Sequence, residues 1–302
     1  MEGTFRWGLV AAVAPVAWGA NYFVTHEYLP ADHPLYGAAI RALPAGLLLL
    51  AVRRRLPHGS WWWKSLVLGV LNTGAFFVLI YVASHLLPTS VAATIMALSP
   101  VVLAVLAWPL VAERPTAYAL AGAATGVVGT ALMLFTGAVA VNPLGVLASV
   151  AAMALSSVGY LLAKRWSAEV DVLASTSWQL VAGGLLLVPV AVAVEGAPPA
   201  LDAAALGAFG YVTVIATAVA FVAWFAGLRH LPAASVGLVG LLNPVTGVLL
   251  GTMVAGETVT ARQACGLVLV LAGLLLGQPV VARLRRRTRV AVGAAREDGS
   301  CG

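Results

Sequence analysis

An all-α integral membrane protein built from two related halves is the fold class this sequence predicts. Three observations predict it. First, 61% of the 302 residues are hydrophobic and only 9% are charged, against about 25% charged in soluble domains, and the mean hydropathy is +0.98. A chain this apolar needs lipid as its solvent. Second, mostly uncharged runs long enough to cross about 30 Å of hydrocarbon recur along the whole length. They lack the alternation of apolar and polar residues that a membrane β-barrel requires. Third, the stretch Leu87–Leu132 recurs 144 positions later without a gap. Leu87, Pro88, Leu98, Pro100, Val101, Glu113, Thr116, Gly122 and Gly129 return as Leu231, Pro232, Leu242, Pro244, Val245, Glu257, Thr260, Gly266 and Gly273. Two prolines, a lone carboxylate and two glycines in one register mark a duplication.

In chain order the pattern predicts ten spans. The first five lie near Trp7–Val24, Leu35–Val52, Ser65–Leu86, Ser90–Val111 and Ala117–Ala138. The second five lie near Pro143–Leu162, Leu173–Val194, Ala203–Leu228, Ala233–Val254 and Arg262–Val281. The amino-terminal blocks of the two halves match at an offset of 138, pairing Tyr22 with Tyr160 and Gly46-Leu47-Leu48-Leu49 with Gly184-Leu185-Leu186-Leu187. Residues 1–138 form the first five-helix repeat, 139–282 the second, and 283–302 a basic tail. The first span is too long for a removed signal peptide, and no small-residue cleavage site follows it.

Basic residues orient the chain. The loops with Arg53-Arg54-Arg55 and Lys64, then Arg114, Lys164-Arg165 and Arg229, alternate with loops nearly free of Lys and Arg. Arg6 and the tail Arg283 to Arg289 fall on the same side. This places both termini in the cytoplasm of a multi-pass protein of the cell membrane. The tail fits contact with anionic lipid rather than with nucleic acid. Five crossings per half make the second half enter from the opposite face, so Glu113 is expected inside and Glu257 outside. Inverted repeats of this kind serve secondary transporters that alternate access to a site near the midplane.

The ten spans, the proline-led fourth and ninth spans, Glu113 and Glu257 with Gly122 and Gly266 downstream, Ala17-Trp18-Gly19 and Arg41 together resemble the EamA branch of the drug/metabolite transporter superfamily. The resemblance covers residues 5–282 or so. It implies a ten-helix bundle around a central cavity lined by spans one to four and six to nine, with five and ten peripheral. It also implies small-molecule solutes such as amino acids and related zwitterionic or anionic metabolites, commonly exported.

Arg41 is the one permanent charge placed well inside a span. An arginine at mid-depth costs at least about 2.5–3.5 kcal/mol and must face the bundle interior with partners. Its guanidinium either meets a solute carboxylate, which its planar fork suits, or is a structural group bonded to backbone carbonyls. Its repeat mate is the neutral Gln179, so a shared site would be charged on one side only. Asn21, Asn72, Thr94, Ser99, Thr217 and Asn243 are further polar candidates inside spans, each weighed against an interhelical hydrogen bond. Trp18, Phe76, Tyr81, Trp178 and Trp224 could wall a pocket or merely pack. Pro100 after Ser99 and Pro244 after Asn243 break equivalent helices and free polar backbone there. With Pro88 and Pro232 they are the candidate gating positions. Trp61-Trp62-Trp63 beside Lys64 reads as an interfacial anchor. Glycine pairs at four-residue spacing (Gly122/Gly126, Gly247/Gly251, Gly273/Gly277) predict close helix approach, within the chain rather than between chains.

All eleven Asp and Glu fall in loops, tails or span ends. No buried carboxylate is available for a proton relay, which favours facilitated diffusion or exchange. No metal or cofactor site and no catalytic motif is predicted, and oligomeric state is left open. A membrane-embedded enzyme, or a non-transporting scaffold or pore, is the alternative to a transporter.

Overall fold

The computed structural model describes residues 2–30, 32–87, 95–134, 142–255 and 260–277. Among these residues there are helices and no strands. The helices are α1 (Glu2–Tyr28), α2 (Pro34–Arg53), α3 (Trp61–Gly69), α4 (Ala75–Leu86), α5 (Ser99–Val111) and α6 (Ala117–Leu134). In the second half they are α7 (Pro143–Trp166), α8 (Val172–Glu195), α9 (Ala203–Thr213), α10 (Ala220–His230), α11 (Ala233–Val239), α12 (Leu242–Ala255) and α13 (Ala261–Leu276). Among the described residues, seven helical stretches are long and apolar enough to cross a membrane, and α5 and α13 are shorter apolar helices. The expected first, fourth and tenth spans, which correspond to α1, α5 and α13, are not among these seven. Helix α5 is short because a turn at Ala97–Leu98 interrupts it before Pro100. The matching turn at Gly240–Leu241 separates α11 from α12, just before Pro244.

Two spans carry an irregularity that the sequence reading did not foresee. A π-helical turn, Val70–Gly74, joins α3 to α4, and another, Val214–Val219, joins α9 to α10. The second begins 144 positions after the first, at the offset of the sequence repeat. A π-turn widens the helix by one residue and displaces the regular i→i−4 hydrogen bonds, so backbone groups become available to neighbours.

Equivalent helices of the two halves pack against one another in antiparallel fashion. A Cβ placed on Gly46 of α2 would lie 2.6 Å from the Val181 backbone nitrogen of α8, and one on Gly184 would lie 2.7 Å from Leu43 Cβ. At the two ends of this pair, the Glu195 carboxylate accepts from the Leu35 and Tyr36 amides at 2.6 and 2.9 Å, and Arg53 pairs with Asp171 at 2.9 Å. Helices α6 and α13 cross still more tightly. A Cβ on Gly122 would meet the Gly273 carbonyl oxygen at 2.5 Å, and one on Gly129 the Gly266 carbonyl at 2.6 Å. Backbones can approach this closely only without side chains, and dispersion then holds the pair in lipid. Small residues of the last helix are thus used within the chain.

Exposed apolar residues such as Leu47, Val105, Leu147, Leu185 and Val268 cover the outside, as expected where hydrocarbon is the solvent. The largest buried cluster contains Ala38, Ala42, Phe77, Tyr160, Phe221, Trp224 and Phe225. The anchor reading of Trp61 needs correction. Trp62 and Trp63 are exposed, but Trp61 is 2% exposed and packs on Leu68, Ala174 and Trp178. Helix α3 turns that one indole inward because it starts at Trp61 and repeats every 3.6 residues, burying Trp61, Lys64, Ser65 and Leu68.

Candidate functional site

The π-turn of the second half is gripped by two side chains of the first. Arg41 donates from Nε to Thr217 Oγ1 at 3.1 Å and from a terminal nitrogen to the Ala216 carbonyl at 3.5 Å. Its guanidinium also lies 4.6 Å from the centre of the Phe77 ring, a cation–π contact that gains strength away from water. Trp18 donates from Nε1 to the same Ala216 carbonyl at 2.9 Å. One carbonyl in the π-turn thus serves two donors from different helices.

The equivalent positions of the other half also meet, through different chemistry. Gln179, the repeat mate of Arg41, accepts at Oε1 from Asn72 Nδ2 at 2.8 Å, and both side chains are fully buried. Asn72 lies in the first π-turn, at the position that Ala216 occupies in the second. Thr73 and Thr217 correspond in the same way. Gly159 of α7, in the position of Asn21, leaves room for the Asn72 amide, because a Cβ there would overlap Asn72 Oδ1. Asn21 Oδ1, Asn72 Oδ1, Thr73 Oγ1 and Gln179 Nε2 are buried without a partner among the described residues.

An aromatic wall backs the charged side. Trp18 meets Trp224 at 5.4 Å and Phe221 edge-on at 5.6 Å, and Tyr160 meets Trp224 edge-on at 5.6 Å. Trp224 is buried, and its Nε1 has no partner among the described residues. Phe76 is half-buried beside Phe77.

The other sequence candidates are placed differently. Trp178 does not join this centre. It sits two turns into α8 at the end that carries Arg53–Arg55, where its Nε1 donates to the Arg55 carbonyl at 2.7 Å and its ring packs on Trp61. There it lines a cleft of about 310 Å³ with Arg55, His58, Glu169 and Asp171. Ser99 and Asn243 are half-buried at the two helix breaks. The backbone of Asn243 lies against α1, its carbonyl 2.6 Å from where a Gly19 Cβ would stand. Pro100 packs on Gly237 of α11, Pro244 lies in the first turn of α12, and Pro232 precedes α11 at its N-cap. Tyr81 belongs to α4, but its side chain, like Pro88, Thr94 and Glu257, lies outside the described residues.

The end bearing Arg53–Arg55 also holds a set of contacts between the halves that sequence alone did not identify. Lys64 pairs with Glu169 at 2.5 Å and lies 5.4–6.0 Å from the rings of Trp61, Trp63 and Trp166. Glu113 pairs with Lys164 at 2.7 Å through one oxygen and accepts from the Ala233 amide at 2.7 Å through the other. Lys164 also donates to the Leu231 carbonyl. Burial pushes the Asp171 carboxyl upward, but the Ala174 amide, the Arg53 hydrogen bond and the charges of Arg53 and Arg55 outweigh it, so the group lies below the ordinary carboxylate range.

Apolar helices, lipid-compatible outer faces and a buried polar centre define a multi-pass membrane protein. The profile of the EamA-like transporter family matches residues 5–135 and 143–277, and the chain belongs to that family. It is 34% identical to Protein PecM of Dickeya dadantii over 279 residues, covering 92% of this chain and 94% of that one. It is 26% identical to the uncharacterized inner membrane transporter YedA of Escherichia coli K12, covering 81% of each. A solved crystal structure at 19% identity shares the fold with a TM-score of 0.77, covering 91% of this chain and 99% of that one. The chain is therefore a membrane transporter.

Proposed function

We propose that the chain is a secondary transporter of ten spans, arranged as two inverted five-helix repeats, that moves small zwitterionic or anionic metabolites, most of all amino acids, out of the cell by alternating access. Both termini lie in the cytoplasm, on the side of Arg53–Arg55. The antiparallel packing of α2 on α8 and of α6 on α13 supports the inverted arrangement, because helices equivalent in sequence run in opposite directions.

The observation that carries the reading is the matched pair of grips, Arg41 on the second π-turn and Gln179 on the first. Each half holds the irregular segment of the other, so a rocking of one half on the other changes both contacts together. The guanidinium of Arg41 is the group that meets the solute's carboxylate, and the aromatic wall of Trp18, Phe221 and Trp224 excludes water behind it. Coupling to protons through a carboxylate is not part of the mechanism, since the acidic side chains lie at span ends and in loops.

Comparing metabolites released by cells that overproduce the protein with those released by cells that lack it tests the reading and names the solute. An amino acid or related acid that appears outside only in the producing cells is the expected result. Flux of that solute in proteoliposomes is expected to persist without a pH gradient. Identical metabolite profiles in the two strains would refute export.

A further inference from the structure

The two grips lie at different depths. On the antiparallel α2–α8 pair, Gly46 sits opposite Val181 and Gly184 opposite Leu43. Position 41 therefore lies level with position 186 of α8, seven residues beyond Gln179. At 1.5 Å per residue the Arg41 and Gln179 levels are about 10 Å apart along the pair. Arg41 is nearer the end opposite Arg53–Arg55, and Gln179 is nearer the basic end. The midplane of the pair passes between them.

The stations match position by position: Arg41 with Gln179, Ala216 with Asn72, Thr217 with Thr73, Trp18 with Ser156 and Asn21 with Gly159. Their chemistry does not match. One is cationic, and Arg41 and Trp18 are anchored on the Ala216 carbonyl. The other is neutral, and there Asn72 holds the Gln179 carbonyl oxygen. In that arrangement Gln179 Nε2 is a donor, and Asn72 Oδ1 an acceptor, without a partner among the described residues. Thr73 Oγ1 is in the same condition one residue along the π-turn. Buried polar atoms of this kind call for a partner.

We propose that Gln179 and Thr73, with Asn72 as the positioning residue, form a neutral recognition station whose partner is the polar side chain of the solute. The carboxylate goes to Arg41, and a side-chain amide or hydroxyl goes to Gln179 Nε2 and Thr73 Oγ1. In this arrangement the solute lies between the two levels, met by Arg41 on one side and by Gln179 on the other. The solute is then an amino acid with a hydrogen-bonding side chain rather than a purely apolar one. This inference rests on reading the chain as a transporter with Arg41 at the solute carboxylate. An apolar isostere is discriminated against because it leaves the buried Gln179 donor unpaired.

L-Asparagine and L-leucine are the probes, being nearly isosteric with an amide in place of an isopropyl group. Thermal stabilisation of the purified full-length protein in detergent reads their binding. In the wild type, saturating asparagine raises Tm by about 2–4 °C, and its apparent affinity exceeds that of leucine by about 10-fold, the value of one neutral hydrogen bond. Gln179→Met brings the ratio of affinities towards parity, whereas Arg41→Gln weakens both ligands and leaves the ratio in place. Equal weakening of both ligands by Gln179→Met would mean a structural role and overturn the inference. Leucine binding as tightly as asparagine in the wild type overturns it without any variant, which covers the case of a poorly folding Gln179→Met. Stabilisation by neither probe also overturns it, while the release of other solutes from producing cells would leave the proposed function standing.

Discussion

Glu113 and Lys164, 51 residues apart, bind each other and the start of the same helix. Glu113 accepts the Ala233 amide while Lys164 donates to the Leu231 carbonyl, on either side of Pro232. At the basic end the pair ties the end of α5 to the end of α7 and to the first turn of α11. Proline at 232 suits that place, because the missing amide is one that a helix start does not use.

Reversing this pair is expected to fail. Glu113→Lys with Lys164→Glu restores the opposite charges but puts a donor against the Ala233 amide and an acceptor against the Leu231 carbonyl. The double variant should melt no higher than the less stable single variant. Recovery of the wild-type Tm would show that charge alone matters here. Glu113→Gln, which keeps an acceptor for Ala233, should cost only about 1 kcal/mol.

The crossing of α6 and α13 predicts a graded response to added methyl groups. Gly122→Ala would press its Cβ on the Gly273 carbonyl at 2.5 Å, and neither backbone can yield cheaply. A loss of about 1–3 kcal/mol is expected from such overpacking. Gly247→Ala meets nothing nearer than 4.0 Å and should be close to neutral. Melting temperatures of the two variants in one detergent make the comparison.

Arg41→Lys is expected to behave as a loss of function. The ammonium keeps the charge but cannot donate to Thr217 and Ala216 from two positions of a plane while lying over Phe77. Transport should fall at least about 10-fold, the equivalent of one lost charge-assisted hydrogen bond. Near-normal flux from this variant, in correctly inserted protein, would remove planarity from the explanation.

Asp171 gives a pH signature outside the membrane. Its folded value is lowered, so its pairing with Arg53 contributes fully above the ordinary carboxylate range. The contribution fades as pH falls through the depressed value. The stability difference between the wild type and Asp171→Asn should be constant near neutral pH and shrink on strong acidification. A difference that widened on acidification would contradict the direction of the shift.

Much of this architecture was legible in the sequence because it is periodic or chemically expensive. The offsets of 144 and 138 positions located equivalent residues before any packing was known. The cost of an arginine in lipid meant that Arg41 needed partners, though not which ones. The partners were harder to see, because a π-turn leaves no strong signature. The recurrence of Val70, Thr73 and Phe77-Val78 as Val214, Thr217 and Phe221-Val222, upstream of the long repeat, is the signal that could have pointed there. Trp178 falls inside a predicted span, like the other interior aromatics, but its position two turns from the helix start puts it beside the Arg55 loop. Trp61 read as an anchor because three indoles in a row look alike in sequence, and helical rotation sends one of them inward.

The two π-turns begin at the same register of the repeat, and each accommodates one residue more than a regular helix would. Extra residues acquired separately, one in each half, would have no reason to coincide in this way. The shared register fits a π-turn already present in the unit that the sequence repeat marks as duplicated. What has diverged since is the side chain that meets each turn, arginine in one descendant and glutamine in the other. Each half thus keeps the same break in its helix and meets it with a different side chain.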